Sequence, residues 1–282
     1  MLWKEYEDVL LEREDNVATI LLNNPANMNP VTVSTMDHLV DALTLCEEDD
    51  TVRVIVLRGA GGNFSAGGNV KGMKERLDKG INTTKEGIRA GGEFMMRRRT
   101  INKPTIAWIE GAAAGAGMSM ALCCDFALAA EDAKMVFAFV NIGFVPDCGI
   151  THMLTKNVGR ARATDLLMGG RRFTGADAAK WGMITAAAPK EELEDLVKKY
   201  IKKYSQGPAV AYAQIKRMIN SCTMRELNAC MQEEVEAQFI CSKTEDYRIA
   251  VEAFCEKSDH HHFYRTRHQT TEARQGHPSH QI

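Results

Sequence analysis

The 282-residue chain lacks the features that mark several large classes of protein. Thirty-five Lys and Arg residues stand against 37 Asp and Glu residues, so the formal net charge is only -2. That balance gives no field that would recruit nucleic acid or an anionic membrane. The eight cysteines include no CxxC pair, which favours reduced, buried thiols over a disulfide framework. A small-molecule partner is therefore favoured.

Long hydrophobic runs are also missing. Residues 52–57 are too short to span a bilayer, and residues 112–124 are too rich in Gly and Ala. Residues 1–15 are charged throughout and show no apolar signal-peptide region, so we expect a cytoplasmic protein. The sequence contains no Rossmann or P-loop glycine pattern and no metal-ligand spacing. We therefore expect no metal and no cofactor.

Apolar periodicity predicts an α/β layer followed by helices. Residues 17–22 and 52–57 indicate buried strands, and residues 33–46 between them have helical spacing. Such a β-helix-β unit implies parallel pairing of the two strands. Further strands are predicted at residues 105–109 and 126–130. From residue 160 onward the pattern is almost wholly helical.

Three parts are expected along the chain: an α/β core over residues 1–200, a helical region over residues 201–258, and a tail over residues 259–282. The tail holds six of the eight histidines and almost no apolar periodicity, which predicts disorder. Within the core, the polar residues 80–92 predict a mobile loop.

Two glycine-rich segments could carry chemistry. Residues 63–70 (NFSAGGNV) follow the second strand, and residues 110–119 (EGAAAGAGMS) lead from a strand into a helix. Glycines let backbone amides point together at a ligand oxygen, and the first amides of a helix are unpaired. Taken singly, each segment could instead be a structural turn or a close helix-strand contact. Together they could form an oxyanion hole.

These segments resemble the enoyl-CoA hydratase/isomerase (crotonase) family over about residues 5–257. The matching segments are residues 64–70, 103–104, 111–117, 124–125, 173–178 and 181–182. The resemblance implies a crotonase-type α/β fold, with a spiral core of repeated ββα turns. It also implies that residues 201–258 form a trimerisation region, in a homotrimer or a dimer of trimers. Acyl-CoA is the implied substrate.

The resemblance assigns site residues as well. The backbone amides of Ala66 and Ala116 would hold the thioester oxygen. The family usually has glycine at the second of these positions, but alanine keeps the backbone donor. Further residues implied to bind the substrate are Asn27, Asn29, Val31, Ser65, Gly67 and Gly68, with Phe254 and Lys257 of a neighbouring subunit.

Hydratases of this family place two glutamates around a water molecule. The matching positions here are Ser119 and Phe139, which can serve as neither acid nor base and are expected instead to contact the substrate. Asp147 matches instead the aspartate of isomerase-like members, although an N-cap is the alternative interpretation. Asn141 could line the substrate pocket or satisfy a buried backbone group. His152 is expected to face another side of the helix.

We therefore predict an enoyl-CoA isomerase in which Asp147 shifts a double bond and the Ala66 and Ala116 amides hold the enolate. One alternative is a hydratase or hydrolase acting on an unusual, for example cyclic, acyl-CoA. Another, from a different class, is a catalytically silent assembly protein that binds CoA or RNA.

Overall fold

The computed structural model describes residues 1–257, except for the side chains of Glu93, Phe94 and Arg98. The predicted disordered tail, residues 259–282, lies outside the described residues. The strands are β1 (Leu2–Glu5), β2 (Val9–Glu14), β3 (Val17–Leu22), β4 (Pro30–Val31), β5 (Val54–Gly59), β6 (Gly67–Gly68), β7 (Thr105–Ile109), β8 (Ala113–Ala114), β9 (Phe126–Ala130), β10 (Lys134–Val136), β11 (Arg172–Thr174) and β12 (Ala186–Ala188). The helices are α1 (Val33–Glu48), α2 (Val70–Asp78), α3 (Lys85–Thr100), α4 (Ala116–Leu122), α5 (Ile150–Gly169), α6 (Gly175–Lys180), α7 (Leu193–Ser205), α8 (Ala209–Ser221), α9 (Met224–Cys241) and α10 (Glu245–Glu256).

The largest sheet has seven strands in the order β1-β2-β3-β5-β7-β9-β12. Strands β1, β2 and β3 pair antiparallel, and the sheet is parallel from β3 to β12. The parallel pairing of β3 with β5 confirms the predicted β-helix-β unit, with α1 as its crossover helix. Smaller sheets join β11-β10-β8 and β4-β6. Almost all of β5 and β7 is buried, as expected for strands covered on both faces.

The C-terminal helices fold back onto the core. Helix α9 packs against α3 and α5, and α10 packs against α2. Helix α8 is held by its buried Lys216, whose Nζ contacts Asp125 Oδ2 at 2.7 Å and the Lys103 carbonyl at 3.1 Å. The boundary predicted at residue 200 falls inside α7. No helix within residues 1–257 is both long and apolar enough to cross a membrane.

The predicted loop over residues 80–92 is wrong from Lys85 onward, where α3 begins, whereas residues 80–84 form neither helix nor strand. Thr84 caps the helix by accepting a hydrogen bond from the Gly87 amide at 3.2 Å. Gly91 and Gly92 are buried, and a Cβ on Gly92 would lie 2.6 Å from Met231 Cε of α9. Gly92 therefore allows α3 and α9 to pack closely.

Helix α5 begins ten residues before the point at which the sequence pattern becomes almost wholly helical, and it contains one break. Gly159 has φ 76° and ψ 160° inside α5, so the helix is interrupted there. The segment from Ile150 to this glycine forms the first part of the same element. Its N-terminus lies next to Asp147, which makes the start of α5 relevant to the site.

Candidate active site

Asn29 ties the first glycine-rich turn to the segment before β4. Its side chain is buried, and Nδ2 donates to the carbonyls of Ala60 and Asn63, both at 2.9 Å. Ser65 Oγ donates to the Asn29 carbonyl at 2.8 Å and accepts from the Gly67 amide at 3.1 Å. β4 then pairs with β6, which places Val31 beside Gly68. These four hydrogen bonds fix the backbone around Ala66.

The second glycine-rich turn lies directly against the first. Ser65 bridges Ala113, and the Ala114 amide donates to the Ser65 carbonyl at 2.9 Å. A Cβ on Gly67 would come within 2.5 Å of the Ala114 carbonyl oxygen and 3.3 Å of the Ala116 nitrogen. Only a residue without a side chain fits there, so the two turns meet through their backbones.

The two amides predicted to hold an oxyanion differ in their present partners. The Ala66 amide donates to the Met28 carbonyl at 2.7 Å. The Ala116 amide is the first of α4 and has no intrahelical acceptor, nor does any other described residue accept from it. The Met28 carbonyl belongs to a turn in which Met28 and Asn29 both have positive φ, 57° and 54°.

Ser119 and Phe139 lie next to the same turn. Ser119 is fully buried on α4, and its Oγ has no hydrogen-bond partner among the described residues. The Phe139 ring is buried, with Cζ 3.9 Å from where a Cβ on Gly115 would lie. An apolar ring and a neutral hydroxyl thus occupy the two positions that matched the hydratase glutamates.

Asp147 has the environment of a perturbed carboxyl group. Its Oδ2 accepts a hydrogen bond from Gln238 Nε2 of α9 at 3.0 Å. Its Oδ1 is shielded from solvent and accepts no hydrogen bond of ordinary geometry from the described residues. Burial raises the pKa of Asp147 above its usual range, while Gln238 and the Cys148 thiol act to lower it.

The N-cap interpretation of Asp147 is wrong. Gly149 is the N-cap residue of α5, and no side chain from its own segment caps the helix. Asp147 contributes only its carbonyl, which accepts from the Ile150 amide at 3.3 Å. The carboxyl group is therefore not used for local helix capping.

A cavity of about 260 Å³ lies between α3 and α9 and is lined in part by Asp147 and Cys148. Arg89 of α3 and Glu234 of α9 line it as well. Burial raises the pKa of Glu234 to about 7, although hydrogen bonds from the Gly149 and Thr151 amides act against this rise. Within residues 1–257, no cluster of three or more His, Cys, Asp or Glu side chains could hold a metal ion.

The other predicted site residues are more scattered. Asn27 is exposed, and its Nδ2 contacts Asn24 Oδ1 at 3.1 Å. Asn141 is also exposed and donates to the Gly170 carbonyl at 3.0 Å, so it satisfies a backbone group at the end of α5. Phe254 is 56% exposed near the end of α10, and Lys257 follows it with φ 53°.

Three ionisable or polar residues complete the description of this region. His152 lies on α5 outside the cavity lining, and burial lowers its pKa. Sequence reasoning missed Glu234 and Gln238, which contact the segment around Asp147 from α9. Their spacing of four residues places them on one helix face, but nothing in the pattern of α9 shows what that face meets.

The fold and the paired turns define an enzyme of the crotonase class. The family model for enoyl-CoA hydratase/isomerase matches residues 12–264, and the chain belongs to that family. It is 34% identical over 256 residues to a 1,2-epoxyphenylacetyl-CoA isomerase of Escherichia coli K12, covering 89% of this chain and 96% of the isomerase. It is 29% identical to a crotonyl-CoA hydratase of Syntrophomonas wolfei, covering 89% of this chain and 96% of the hydratase.

The structural comparison agrees with the sequence comparison. The crystal structure of an enoyl-CoA hydratase from Mycobacterium avium subsp. paratuberculosis K-10 superposes with a TM-score of 0.82 at 31% identity. The match covers 90% of this chain and 98% of that hydratase. The sequence relatives thus include both isomerases and hydratases, and a solved enoyl-CoA hydratase shares the fold of this chain.

Proposed function

We propose that this protein is an enoyl-CoA isomerase that shifts a double bond next to a thioester. The observation that carries the proposal is the position of Asp147: its buried carboxyl group has a raised pKa and lines the cavity, whereas Ser119 and Phe139 replace the hydratase glutamates. The relative at 34% identity that is named as a 1,2-epoxyphenylacetyl-CoA isomerase supports isomerisation of a CoA thioester in general.

In this proposal the thioester oxygen accepts hydrogen bonds from the Ala66 and Ala116 amides. The Ala116 amide is available, whereas the Ala66 amide must leave the Met28 carbonyl for the ligand. Two such donors would stabilise the enolate, and the loss of one typically costs about 3 to 4 kcal/mol of transition-state stabilisation. Ser65, Gly67, Gly68, Asn29 and Val31 hold this geometry.

The chemical step uses one base. The Asp147 carboxylate removes a proton from the α-carbon of a 3-enoyl thioester, and the C–H electron pair moves into a dienolate. The resulting Asp147 carboxylic acid returns a proton to the γ-carbon, and the double bond moves into conjugation with the carbonyl. A carboxyl group with a raised pKa is a stronger base when ionised, which suits this shuttle. No resident cofactor enters the reaction.

The proposal extends to assembly and location. We place the enzyme in the cytoplasm as a homotrimer or a dimer of trimers. Large apolar side chains stand exposed on the C-terminal helices, as expected of a surface that other subunits cover. These residues are Val210, Ile215, Met218, Ile219, Ile240 and Phe254. Phe254 and Lys257 would then reach the CoA of a neighbour, and Asn27 would lie beside the CoA of its own subunit.

Asp147→Asn tests the reaction. Purified protein is incubated in heavy water with 3-enoyl-, 2-enoyl- and aromatic CoA thioesters, and products are read by mass spectrometry. We expect the wild type to isomerise or exchange deuterium, and Asp147→Asn to lose at least about 100-fold in rate while it still binds CoA, since general-base catalysis contributes about 10²–10⁴-fold.

Asp165→Asn is a matched control, because Asp165 pairs with Arg171 at the exposed surface. Full activity in Asp147→Asn would contradict the proposal. A product heavier by one water would identify a hydratase instead, and a wild type that neither reacts nor exchanges would indicate a binding role.

A further inference from the structure

The backbone just after Asp147 has an unfavourable conformation. Cys148 has φ 61° and Gly149 has φ 77°, so two consecutive residues lie in the left-handed region. For a residue with a side chain, that conformation is sterically unfavourable. Gly149 is also the N-cap of α5 and brings no capping side chain. Contacts from another element must therefore hold this turn in place.

Glu234 of α9 supplies those contacts. Its Oε2 accepts from the Gly149 amide at 2.7 Å, and its Oε1 accepts from the Thr151 amide at 3.0 Å. The side chain is buried, with 6% of its surface exposed. The first amides of a helix are unpaired and favour an acidic partner, so Glu234 acts as a cap donated by a different helix.

Gln238 lies one helical turn further along α9. Its Nε2 donates to Asp147 Oδ2 at 3.0 Å and to the Val145 carbonyl at 3.3 Å. Gln238 is itself buried, with 4% of its surface exposed. One side chain thus fixes the rotamer of the Asp147 carboxyl group and the backbone two residues before it. Asp147 Oδ1 is left without a hydrogen-bond partner among the described residues.

We propose that Gln238 and Glu234 are positioning residues for Asp147: Gln238 orients its carboxyl group, and Glu234 holds the turn that carries it. This inference rests on the proposed isomerase function, in which Asp147 is the base. Helix α9 lies far along the chain from the oxyanion turns, yet in this inference it aligns the reacting carboxylate.

The ionisable groups around Asp147 make a specific readout possible. They are the Cys148 thiol in the same turn, Glu234 on α9 and Arg89 on α3, which line the same cavity. The next ionisable side chain along α5 is His152. Replacing Gln238 by Met changes none of these charges and keeps a side chain of similar length. It removes the hydrogen bonds to Asp147 and to the Val145 carbonyl, and the first of these acts to lower the pKa of Asp147.

The experiment compares Gln238→Met with Gln214→Met, because Gln214 lies exposed on α8. Both are assayed with trans-3-hexenoyl-CoA as a function of pH. For Gln238→Met we expect kcat to fall about 10- to 100-fold with KM within about twofold of the wild type, since a small misplacement of a reacting group has that effect. The acidic limb of its pH-rate profile should move upward, because a carboxylic acid whose ionised form loses a hydrogen bond is harder to ionise. Gln214→Met should match the wild type.

Glu234→Gln provides a second variant, with Glu233→Gln as its control, because Glu233 is exposed on the same helix. The new amide cannot accept from both the Gly149 and Thr151 amides, so we expect kcat to fall and KM to hold. A wild-type kcat in both Gln238→Met and Glu234→Gln would overturn the inference. A reduced kcat in Gln238→Met with an unmoved acidic limb would also overturn it, because a merely structural defect has that signature.

The experiments distinguish failure of the positioning role from failure of the proposed isomerase function. If Asp147→Asn keeps full activity, the proposed base is wrong and the positioning role falls with it. If Asp147→Asn is inactive while both α9 variants behave as the wild type, only the positioning role is refuted. Circular dichroism of each variant establishes that it is folded. If Gln238→Met does not fold, the kcat of Glu234→Gln tests the positioning role.

Discussion

Gly149→Ala should destabilise the protein by about 2 to 5 kcal/mol. Gly149 has φ 77°, where a residue with a Cβ costs about 1 to 2 kcal/mol. The new Cβ would also lie 2.6 Å from Leu227 Cδ1 and 3.4 Å from Met231 Cγ. Overpacking a buried site of this kind costs about 1 to 3 kcal/mol more. Because Gly149 follows Asp147 by two residues, the variant should lose activity as well.

Gly80→Ala is the matched control. Gly80 has φ 65°, but a Cβ there would meet nothing within 4 Å. It should therefore show only the backbone cost, about 1 to 2 kcal/mol. Urea unfolding followed by circular dichroism, at one fixed protein concentration, measures both free energies of unfolding. The difference between the two variants isolates the contact with α9.

A double-mutant cycle sharpens the test. Leu227→Ala should cost about 2 to 5 kcal/mol alone, because Leu227 is buried. In the Gly149→Ala background it should cost about 1 to 3 kcal/mol less, because the clash is relieved. If Gly149→Ala unfolds as easily as Gly80→Ala, or if the two substitutions at 149 and 227 are additive, the packing of this turn on α9 is not as described.

Two further predictions concern pH and assembly. Burial raises the pKa of Glu234 to about 7, so between about pH 4.5 and 7 the folded chain holds a proton that the unfolded chain has released. The free energy of unfolding should therefore decrease by up to about 3 kcal/mol as the pH rises through that window. Glu234→Gln should lack this decrease in urea titrations, and an unchanged profile would contradict the pKa assignment. If the exposed apolar residues of α8 and α10 are subunit contacts, light scattering should give the mass of a trimer or hexamer. The double variant Val210→Asp/Ile219→Asp should have a lower mass in solution. A wild-type protein with the mass of a monomer would refute the proposed assembly.

Much of the sheet was predictable, because buried strands and amphipathic helices leave periodic patterns. Strands β7 and β9 were predicted at their observed bounds, and the chain after residue 160 is mostly helical, as predicted. The pattern failed over residues 85–92, where a polar stretch predicted a loop but α3 forms with Gly92 packed against α9. A glycine can mark a loop or a place where another helix approaches the backbone closely, and a single sequence does not show which of the two applies.

The candidate site divides in the same way. Residues 63–70 and 110–119 could be recognised because backbone amides need small residues nearby, and that need is written locally in the sequence. Only the tertiary structure shows which of these amides already donate a hydrogen bond. The Ala66 amide donates to the carbonyl of Met28, which lies nearly forty residues earlier in the chain.

The sequence by itself determined the family, the two paired turns and the presence of one carboxyl group where other members carry catalytic acids. Only the tertiary structure decided what surrounds that carboxyl group. Gln238 and Glu234 lie 91 and 85 residues from their partners Asp147 and Gly149, respectively. Contacts of that separation depend on how α9 packs against α3 and α5. Local periodicity places a residue on a face of its helix, whereas the packing of helices determines what that face meets.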